Sequence, residues 1–189
     1  FVKRYATPIW MSQGTWLAMN DASWNTHQHL LHIARDGNPI ELGALQVLPF
    51  TVPHDAREPL QLRCTDGDRH FGMVTDLGHV SSHVVDALQG CHALVLEANH
   101  DPDLLQQSAY PSFLKQRVAG PWGHLANMAA ADLLTHVKHA GLNRVIAAHL
   151  SERNNTPELA RASLSNALGC APLDIDVADP LMGSDWMQV

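Results

Sequence analysis

The sequence predicts an α/β layered domain, because apolar runs typical of buried strands alternate with helical periodicity, and one hairpin signal separates two short strands. The chain has 189 residues, of which 46% are hydrophobic and 16% charged. A domain of this size buries about 70% of the surface of its unfolded chain. No internal repeat or linker-like stretch divides the sequence, so we assign residues 1–189 to a single domain.

The first half of the chain predicts short elements around a hairpin. Residues 1–10 resemble the end of a helix that runs into a short buried strand. The further elements expected here are a helix at Thr15–Met19 and strands at Leu45–Thr51, Leu60–Cys64 and Phe71–Thr75. The last two strands flank Asp66-Gly67-Asp68, and an Asp-Gly pair between apolar runs favours a tight turn. Pro53 ends the preceding strand because proline has no N–H for a strand ladder.

The second half alternates strands and helices. The expected elements are helices at Ser81–Leu88, Leu125–Ala140 and Thr156–Leu168 and strands at His92–Ala98, Arg144–His149 and Leu173–Val177. The run His92–Ala98 is almost continuously apolar, which is typical of a strand covered on both faces. Leu125–Ala140 has apolar residues at three-and-four spacing and is followed by Gly141, a helix stop. Thr156 and Pro157 suit the N-cap and first position of the last helix.

Composition narrows the class of protein. A net charge of −7 argues against a broadly basic nucleic-acid binder, although a local basic groove remains compatible with it. Three cysteines without a close pair do not indicate a disulfide framework, so we expect a cytoplasmic protein. No apolar run is long enough to span a bilayer, and no Gly-x-Gly-x-x-Gly opens a helix, so neither a membrane nor a dinucleotide is expected as a partner.

The thirteen histidines outnumber the twelve lysines and arginines together. Most of them are expected to be surface residues or hydrogen-bonded core residues. His27 and His29 have a spacing that would place both side chains on one face of a strand. No further ligand type follows them nearby, so the sequence does not favour a metal site at this pair.

Four other histidines and one aspartate occupy positions where a site is expected. His54, His100 and His149 each follow a strand, His124 begins the strongest helix, and Asp76 follows the hairpin. In open α/β sheets, ligands and catalytic groups gather at the carboxyl ends of strands. Imidazole and carboxylate together suit Zn²⁺, Mn²⁺ or Fe²⁺. Residues that merely cap the turns after strands would give the same pattern, so both interpretations remain open on this argument alone.

Five segments carry a family resemblance by their order and spacing. They are Val52-Pro53-His54-Asp55-Ala56, Thr75-Asp76-Leu77-Gly78, Glu97-Ala98-Asn99-His100-Asp101, Gly123-His124-Leu125-Ala126-Asn127 and His149-Leu150-Ser151-Glu152-Arg153-Asn154-Asn155-Thr156. Through them the chain resembles the metallo-β-lactamase-fold hydrolases, specifically the YycJ/WalJ-like branch of nuclease-like phosphodiesterases. The resemblance covers nearly the whole chain and implies an αββα sandwich. Residues 1–189 would be about the C-terminal three quarters of such a domain, with the N-terminal portion missing.

The resemblance implies roles for the matching metal-site residues. His54 resembles a ligand of the first metal site, Asp76 the carboxylate bridging both metals, and His149 a ligand of the second site. His124 resembles the group that protonates the leaving oxygen or holds the phosphate. His124 and Asp76 are therefore the expected catalytic residues.

Further residues are expected around the substrate. The resemblance suggests substrate-binding or supporting roles for Asn99, His100, Ser151 and Asn154. A basic rim for phosphate could come from Lys115, Arg117 and Arg153, although solvated surface charges explain these three side chains equally well.

The implied reaction is metal-dependent hydrolysis of phosphodiester bonds in DNA or RNA, as in an exonuclease. Two divalent ions, zinc or manganese with iron as the alternative, would activate a hydroxide for attack on phosphorus. Hydrolysis of a small cyclic phosphodiester remains open, as does thioesterase or lactonase chemistry on the same scaffold. A metal-free interaction module is the alternative outside the enzymes, and a homo-oligomer is compatible with each of these functions.

The sequence departs from the family pattern at two places. Ala126 stands where the branch usually has serine, so the hydroxyl of that serine is absent. The family's His-x-His-x-Asp-His motif does not occur in these residues, and we expect it upstream of Phe1. Without it we expect weak or empty metal sites in residues 1–189, and exposed apolar surface that favours self-association.

Overall fold

A computed structural model describes residues 2–19 and 22–189 of the chain. The helices are α1 (Val2–Tyr5), α2 (Gln13–Met19), α3 (Ser82–Leu88), α4 (Pro102–Gln107), α5 (Ser112–Val118), α6 (Asn127–Val137) and α7 (Pro157–Leu168). The strands are β1 (Ile9–Met11), β2 (Leu31–Ile33), β3 (Ile40–Leu42), β4 (Leu45–Thr51), β5 (Leu60–Thr65), β6 (His70–Val74), β7 (Ala93–Glu97), β8 (Arg144–Ala148) and β9 (Asp176–Val177). Two 3₁₀ helices occupy Ala22–Leu30 and Pro172–Asp174.

Strands β3 to β9 form one seven-stranded sheet in sequence order. The pairs from β3 to β6 are antiparallel, whereas β6, β7, β8 and β9 run parallel. Strands β1 and β2 pair in parallel as a separate two-stranded sheet. Because β6, β7 and β8 are parallel, their carboxyl ends lie at one edge of the large sheet. The expected α/β layering is confirmed.

The core lies between the parallel half of the large sheet and three helices. Along β7 the adjacent side chains of Ala93 and Leu94, which lie on opposite faces, are almost completely buried, as expected for a strand covered on both faces. Leu133 and Leu134 of α6 and Leu164 of α7 are fully buried in the same cluster. Each such leucine stabilises the fold by about 1.5–3 kcal/mol relative to an exposed side chain.

An apolar groove separates the small sheet from the antiparallel half of the large one. Ile9 of β1 faces Ile40, Val47 and Leu62 across a space of about 480 Å³. Trp10 lines the same groove and is 37% exposed. The groove is therefore an apolar surface that is partly open to solvent, and self-association of the protein stays a prediction.

Several predicted elements change in extent or kind. The first strand, β1, is only partly buried, because Trp10 points towards solvent. His27 and His29 lie in a 3₁₀ helix rather than a strand, so two positions apart they do not share a face. The expected edge strand Leu173–Val177 is a 3₁₀ turn followed by the two residues of β9.

Helix α6 is shorter than Leu125–Ala140. It ends at Val137 because Lys138 has ψ of 137° and leaves the helical region. The His139 ring then forms hydrogen bonds to the Cys91 carbonyl and the Gly141 N–H, which holds the chain away from the helix axis. Within the described residues, no helix combines the length and the apolarity needed to cross a membrane.

Helix α6 also begins without a side-chain cap. Its N-cap residue is Ala126, with φ −67° and ψ 154°, and no side chain accepts a hydrogen bond from the first turn. By contrast, the Thr156 hydroxyl caps α7 by accepting from the Leu159 N–H at 3.3 Å. A serine at position 126 would supply the missing acceptor.

We therefore predict that Ala126→Ser stabilises the protein by about 1 kcal/mol, the usual contribution of an N-cap hydroxyl. Urea unfolding followed by circular dichroism measures this difference. Ala126→Gly is the control, because glycine suits an N-cap backbone but brings no acceptor. An equal gain from glycine and serine would contradict a capping effect.

Candidate metal centre

The carboxyl edge of the parallel strands carries four polar residues that the sequence singled out, together with Glu97. Asp76 follows β6, Glu97 is the last residue of β7, and His149 follows β8 directly. His124 precedes α6, and His54 comes after β4. The topology therefore brings these five side chains together from distant parts of the sequence.

One carboxylate oxygen is common to all three predicted site histidines. Asp76 Oδ1 lies 3.7 Å from His124 Nδ1, 3.7 Å from His149 Nδ1 and 3.9 Å from His54 Nε2. The His124 ring centroid is 5.4 Å from that of His54 and 5.1 Å from that of His149. Asp76 Oδ1 therefore lies within 4 Å of a ring nitrogen of each of these three histidines.

Glu97 is a fully buried carboxylate beneath these histidines. Its Oε1 accepts hydrogen bonds from His124 Nδ1 at 2.9 Å and from His149 Nδ1 at 2.7 Å. Its Oε2 accepts from the backbone N–H of Leu77 at 2.7 Å and of Leu125 at 3.3 Å. Each of these amides belongs to the residue that follows a site residue. Glu97 therefore fixes both the rings and the backbone of the site.

The same network sets the charge of the site. Burial raises the pKa of Glu97, but the hydrogen bonds from His124, His149 and the Leu77 N–H outweigh it, and the pKa lies below its ordinary value. The hydrogen bond to Glu97 raises the pKa of His149, against the effect of burial, and the charges of Glu97 and Asp76 add to the rise. Glu97 is therefore an anion at neutral pH.

Each of the three site histidines has its Nδ1 held by a protein oxygen. His54 Nδ1 is 3.0 Å from the Gly123 carbonyl, so it is assigned as the donor. His124 and His149 bind Glu97 in the same way. A neutral imidazole that donates from Nδ1 keeps a lone pair on Nε2, which is the arrangement of metal-binding histidines with an outer carboxylate or carbonyl.

Two of the site residues have a left-handed backbone. The φ angle is 52° at Asp76 and 56° at His149. Residues other than glycine rarely adopt this region, and it costs about 1–2 kcal/mol. Strain of this kind persists where the surrounding structure requires one orientation of a side chain. Here it turns both side chains back towards Glu97 and the cleft.

A cleft of about 400 Å³ opens above these residues. Its lining comprises His54, Asp55, Asp76, Leu114, Arg117, Val118, Gly123, His124 and His149. The loop 119–123 forms one wall and packs so closely that a Cβ at Gly123 would overlap the Arg117 carbonyl. A Cβ at Gly78 would likewise overlap the Pro121 carbonyl on the same loop. Glycine at these two positions allows the close approach.

The donor set fits a divalent metal ion. Asp76, Glu97, His124 and His149 each offer a ligand atom within 4.8 Å of the others. Imidazole nitrogens with a carboxylate oxygen suit zinc, manganese and iron alike, so the chemistry supports a divalent metal without selecting one. His54 adds a further possible ligand atom, because its Nε2 lies 3.9 Å from Asp76 Oδ1. Because Glu97 already accepts four hydrogen bonds, Asp76 is the carboxylate best placed to bind an ion.

The expected substrate-binding residues lie mostly below the cleft surface. Asn99, His100 and Asn154 are buried, with exposures of 8%, 3% and 1%. Asn99 Nδ2 donates to the His149 carbonyl at 2.8 Å and so supports the loop that carries His149. The Ser151 hydroxyl accepts from the Asn154 N–H at 3.3 Å. Direct contact between these four residues and a substrate stays a prediction.

The three rim candidates are placed differently. Arg117 lines the cleft and forms an ion pair with Asp55 at 2.7 Å. The hydrogen bond from Arg117 is the largest effect that lowers the pKa of Asp55. Lys115 donates instead to the Gln106 carbonyl at 2.6 Å, and Arg153 is exposed in the loop before α7. Neither of these two lines the cleft.

Glu97 is the site residue that sequence reasoning did not assign. It appears in the sequence as a single acidic residue at the end of an apolar strand, His92–Ala98. A charge at the carboxyl end of a buried parallel strand costs free energy unless it is paired. That cost is the signal which could have identified it.

Comparison with known proteins decides the family. The model of the beta-lactamase superfamily domain matches residues 3–150. The chain belongs to this family. A beta-lactamase superfamily relative from Bacillus anthracis, named exodeoxyribonuclease YycJ, is 33% identical over 166 residues, covering 88% of this chain and 63% of its own. Exodeoxyribonuclease WalJ of Streptococcus pneumoniae (strain D39) is 29% identical over 177 residues, covering 93% and 66%.

Solved structures of the superfamily share the fold. Zn²⁺-bound PqqB from Methylobacterium extorquens matches with a TM-score of 0.72 and 14% identity, covering all of this chain and 67% of that one. The metallo-beta-lactamase fold protein YhfI from Bacillus subtilis matches with a TM-score of 0.64 and 16% identity, covering 95% and 62%. The predicted metallo-β-lactamase fold and the family resemblance are confirmed. The chain spans roughly two thirds of the length of its curated relatives.

Proposed function

We propose that this protein hydrolyses phosphodiester bonds in nucleic acid, with divalent metal ions bound at the cleft. The observation that carries the proposal is Asp76 Oδ1, which lies within 3.9 Å of nitrogens of His54, His124 and His149. The exodeoxyribonuclease names of the two bacterial relatives support nucleic acid as the substrate. Ions held by His54, Asp76 and His149 would supply a polarised water as nucleophile and neutralise phosphate charge.

The protein's own residues orient the reacting groups. Asp76 is fixed from behind by the backbone of the next residue, since the Leu77 N–H is bound to Glu97. His54 is held against the opposite wall by the Gly123 carbonyl. These contacts keep the ligand atoms in place before substrate enters, and such preorganisation is a main source of rate enhancement in polar active sites.

His124 is the group placed to handle a proton. It lies between His54 and His149, is 26% exposed and lines the cleft. Its Nδ1 donates to the ionised Glu97 at 2.9 Å, which fixes the orientation of the ring. Nε2 is then the nitrogen from which a proton would pass to the leaving alkoxide. Glu97 and His124 would then act as a carboxylate–imidazole pair for general acid catalysis.

The proposal is tested by metal content and by hydrolysis. The protein is incubated with Zn²⁺ or Mn²⁺ and analysed for bound metal. Its activity is measured on an end-labelled oligonucleotide, a bis-aryl phosphodiester and a small cyclic phosphodiester. We expect EDTA to stop hydrolysis and the oligonucleotide to be the preferred polymeric substrate. Much faster cleavage of the cyclic compound than of DNA or RNA would redirect the proposal to a small-molecule phosphodiesterase.

We predict that His124→Ala retains bound metal but lowers kcat by about 10²–10⁴-fold, the usual contribution of a placed general acid. The prediction is checked by elemental analysis together with turnover of an oligonucleotide. His136→Ala is the control, because His136 is a 55% exposed residue on α6, away from the cleft. Loss of metal in the His124 variant would show that His124 is a ligand rather than the proton donor.

A further inference from the structure

The segment 111–123 carries one cation that lines the cleft, Arg117, and two exposed aromatic residues, Phe113 and Trp122, each next in sequence to a residue that lines it. Arg117 of α5 lines the cleft beside His54, Asp76 and His124. Phe113 lies four residues before it on the same helix and is 72% exposed. Residues separated by four positions share a helix face, so the Phe113 ring and the Arg117 side chain are neighbours.

Trp122 lies at the other end of the same segment, directly before Gly123, which lines the cleft. Its carbonyl accepts a hydrogen bond from the Asp55 N–H at 3.0 Å, and the next residue, Gly123, holds His54. The Trp122 ring stands edge-on to His79, with centroids 6.0 Å apart, and is 57% exposed. The indole is therefore attached to the cleft wall yet largely open to solvent.

The Arg117 guanidinium is held in place by Asp55 and keeps N–H groups with which it can bind an anion. Its Nε and one terminal nitrogen both bind Asp55 Oδ2, at 2.8 and 2.7 Å, while its side chain remains 68% exposed. The remaining N–H groups of the guanidinium are directed away from that carboxylate oxygen, and arginine commonly binds phosphate with such groups. Among the described residues that line the cleft, Arg117 is the one lysine or arginine. It offsets the negative charge of Asp55 and Asp76.

We propose that Phe113, Arg117 and Trp122 form a binding rim for single-stranded nucleic acid. The rim rests on the proposed phosphodiesterase function and specifies its substrate. Arg117 binds a phosphate next to the cleaved one, and the two rings stack on bases. Bases offer their faces to such rings when they are unpaired, and a cation combined with aromatic platforms is the usual chemistry of single-strand binding. A paired duplex would present its backbone but not its base faces.

The test measures affinity without catalysis. A fluorescein-labelled single-stranded thymidine oligonucleotide of about twelve nucleotides, within the usual range of such sites, is titrated with protein in EDTA and followed by anisotropy. An abasic oligonucleotide of the same length and a duplex are titrated in parallel. The variants are Phe113→Ala, Trp122→Ala and Arg117→Gln. All three replace exposed side chains, and thermal unfolding confirms that each variant is folded.

Each ring variant is expected to bind the thymidine strand about fivefold to a hundredfold more weakly, the range for loss of one base–aromatic stack. The abasic strand should bind wild type and ring variants equally. Arg117→Gln should weaken both strands, and should reduce the slope of log K against log salt by about 0.7. Trp186→Ala in the exposed C-terminal tail and Arg69→Gln in the β5–β6 turn are the matched controls and should change neither affinity.

Three results would overturn the rim. They are no measurable affinity for the single strand, ring variants that bind it as wild type does, or ring variants that lose equal affinity for the thymidine and abasic strands. Duplex binding as tight as single-strand binding would overturn the choice of strand. These outcomes are separate from the proposed function, which fails if the wild-type protein with Zn²⁺ or Mn²⁺ hydrolyses no phosphodiester. A protein that cleaves oligonucleotides but fails the affinity test refutes the rim alone.

Discussion

Replacing Asp76 by alanine is expected to abolish metal-dependent hydrolysis and to lower metal affinity by more than about a hundredfold, since even an outer-shell partner of a ligand is commonly worth 10–100-fold. Asp76 Oδ1 is the atom shared by the three imidazoles, and Glu97 cannot replace it because its oxygens already accept four hydrogen bonds. The measurements are bound metal by elemental analysis and turnover of an oligonucleotide. Asp132→Ala, which removes an exposed carboxylate on the outer face of α6, is the control. Full turnover by the Asp76 variant would refute the proposed metal centre.

A second substitution at the same position separates the ligand from the backbone. Asp76→Gly also removes the carboxylate, but glycine adopts a φ of 52° without strain. We therefore expect the glycine variant to be as inactive as the alanine variant, yet more stable by about 1–2 kcal/mol. Urea unfolding of the two variants gives the difference. Equal stabilities would show that the left-handed backbone at Asp76 carries no strain.

Replacing Glu97 by leucine is expected to destabilise the protein by about 3–5 kcal/mol, the range for breaking a buried charged network. The change leaves the Leu77 and Leu125 amides without their acceptor and the His124 and His149 rings without support. Unfolding in urea at neutral pH measures the loss. Glu158→Leu, on the exposed first turn of α7, is the control for the same change of residue type. A leucine variant as stable as wild type would contradict the anchoring role.

Glu97→Gln tests the same residue with the shape preserved. The glutamine oxygen can still accept from the two amides, but its NH₂ group would donate to Nδ1 of His124 and His149. Both rings would then carry their proton on Nε2, and His149 would lose the lone pair with which it would bind metal. We expect a nearly normal fold with metal affinity reduced about 10–100-fold. Isothermal titration with Zn²⁺ measures it, and unchanged affinity would exclude control of the tautomer by Glu97.

The sequence predicted the parallel half of the fold well because burial there leaves clear patterns. The apolar run at β7 is typical of a buried strand. Around α7, Thr156 is an N-cap, Pro157 suits the first helical position and Gly169 is a helix stop. The structure places both elements within one residue of the prediction. Strands β2 and β3 were not predicted, since three residues are too few to show an alternation.

Helices α4 and α5 were also not predicted, although α4 has a recognisable N-cap in the sequence. Asp101 caps α4 through the Asp103 and Leu104 amides, with Pro102 at the first position. Helix α5 has Pro111 before it but no side-chain cap, and its seven residues bury none of their side chains. A surface helix of this kind has no apolar stripe for the sequence to display.

The candidate site was predictable in part. Residue type and position in the chain singled out His54, Asp76, His100, His124 and His149, and the family resemblance implied ligand roles for His54, Asp76 and His149. The structure brings these last three together. The distance between Asp76 and the three rings depends on strand order, which single-sequence patterns do not contain. The part played by Glu97 depends on tertiary contacts to residues 20, 27, 28 and 52 positions away. No local periodicity reports such contacts.

The hydrogen bonds of Glu97 also indicate that the site forms before a metal ion binds. All four are formed by protein groups alone, so the rings and loops adopt their positions as the core folds, before any ion arrives. The Leu77 and Leu125 amides should accordingly be among the slowest to exchange their hydrogen with solvent, with or without metal. Metal capture would then require little rearrangement, and the identity of the bound ion would follow availability in the cell more than any selective closure of the protein.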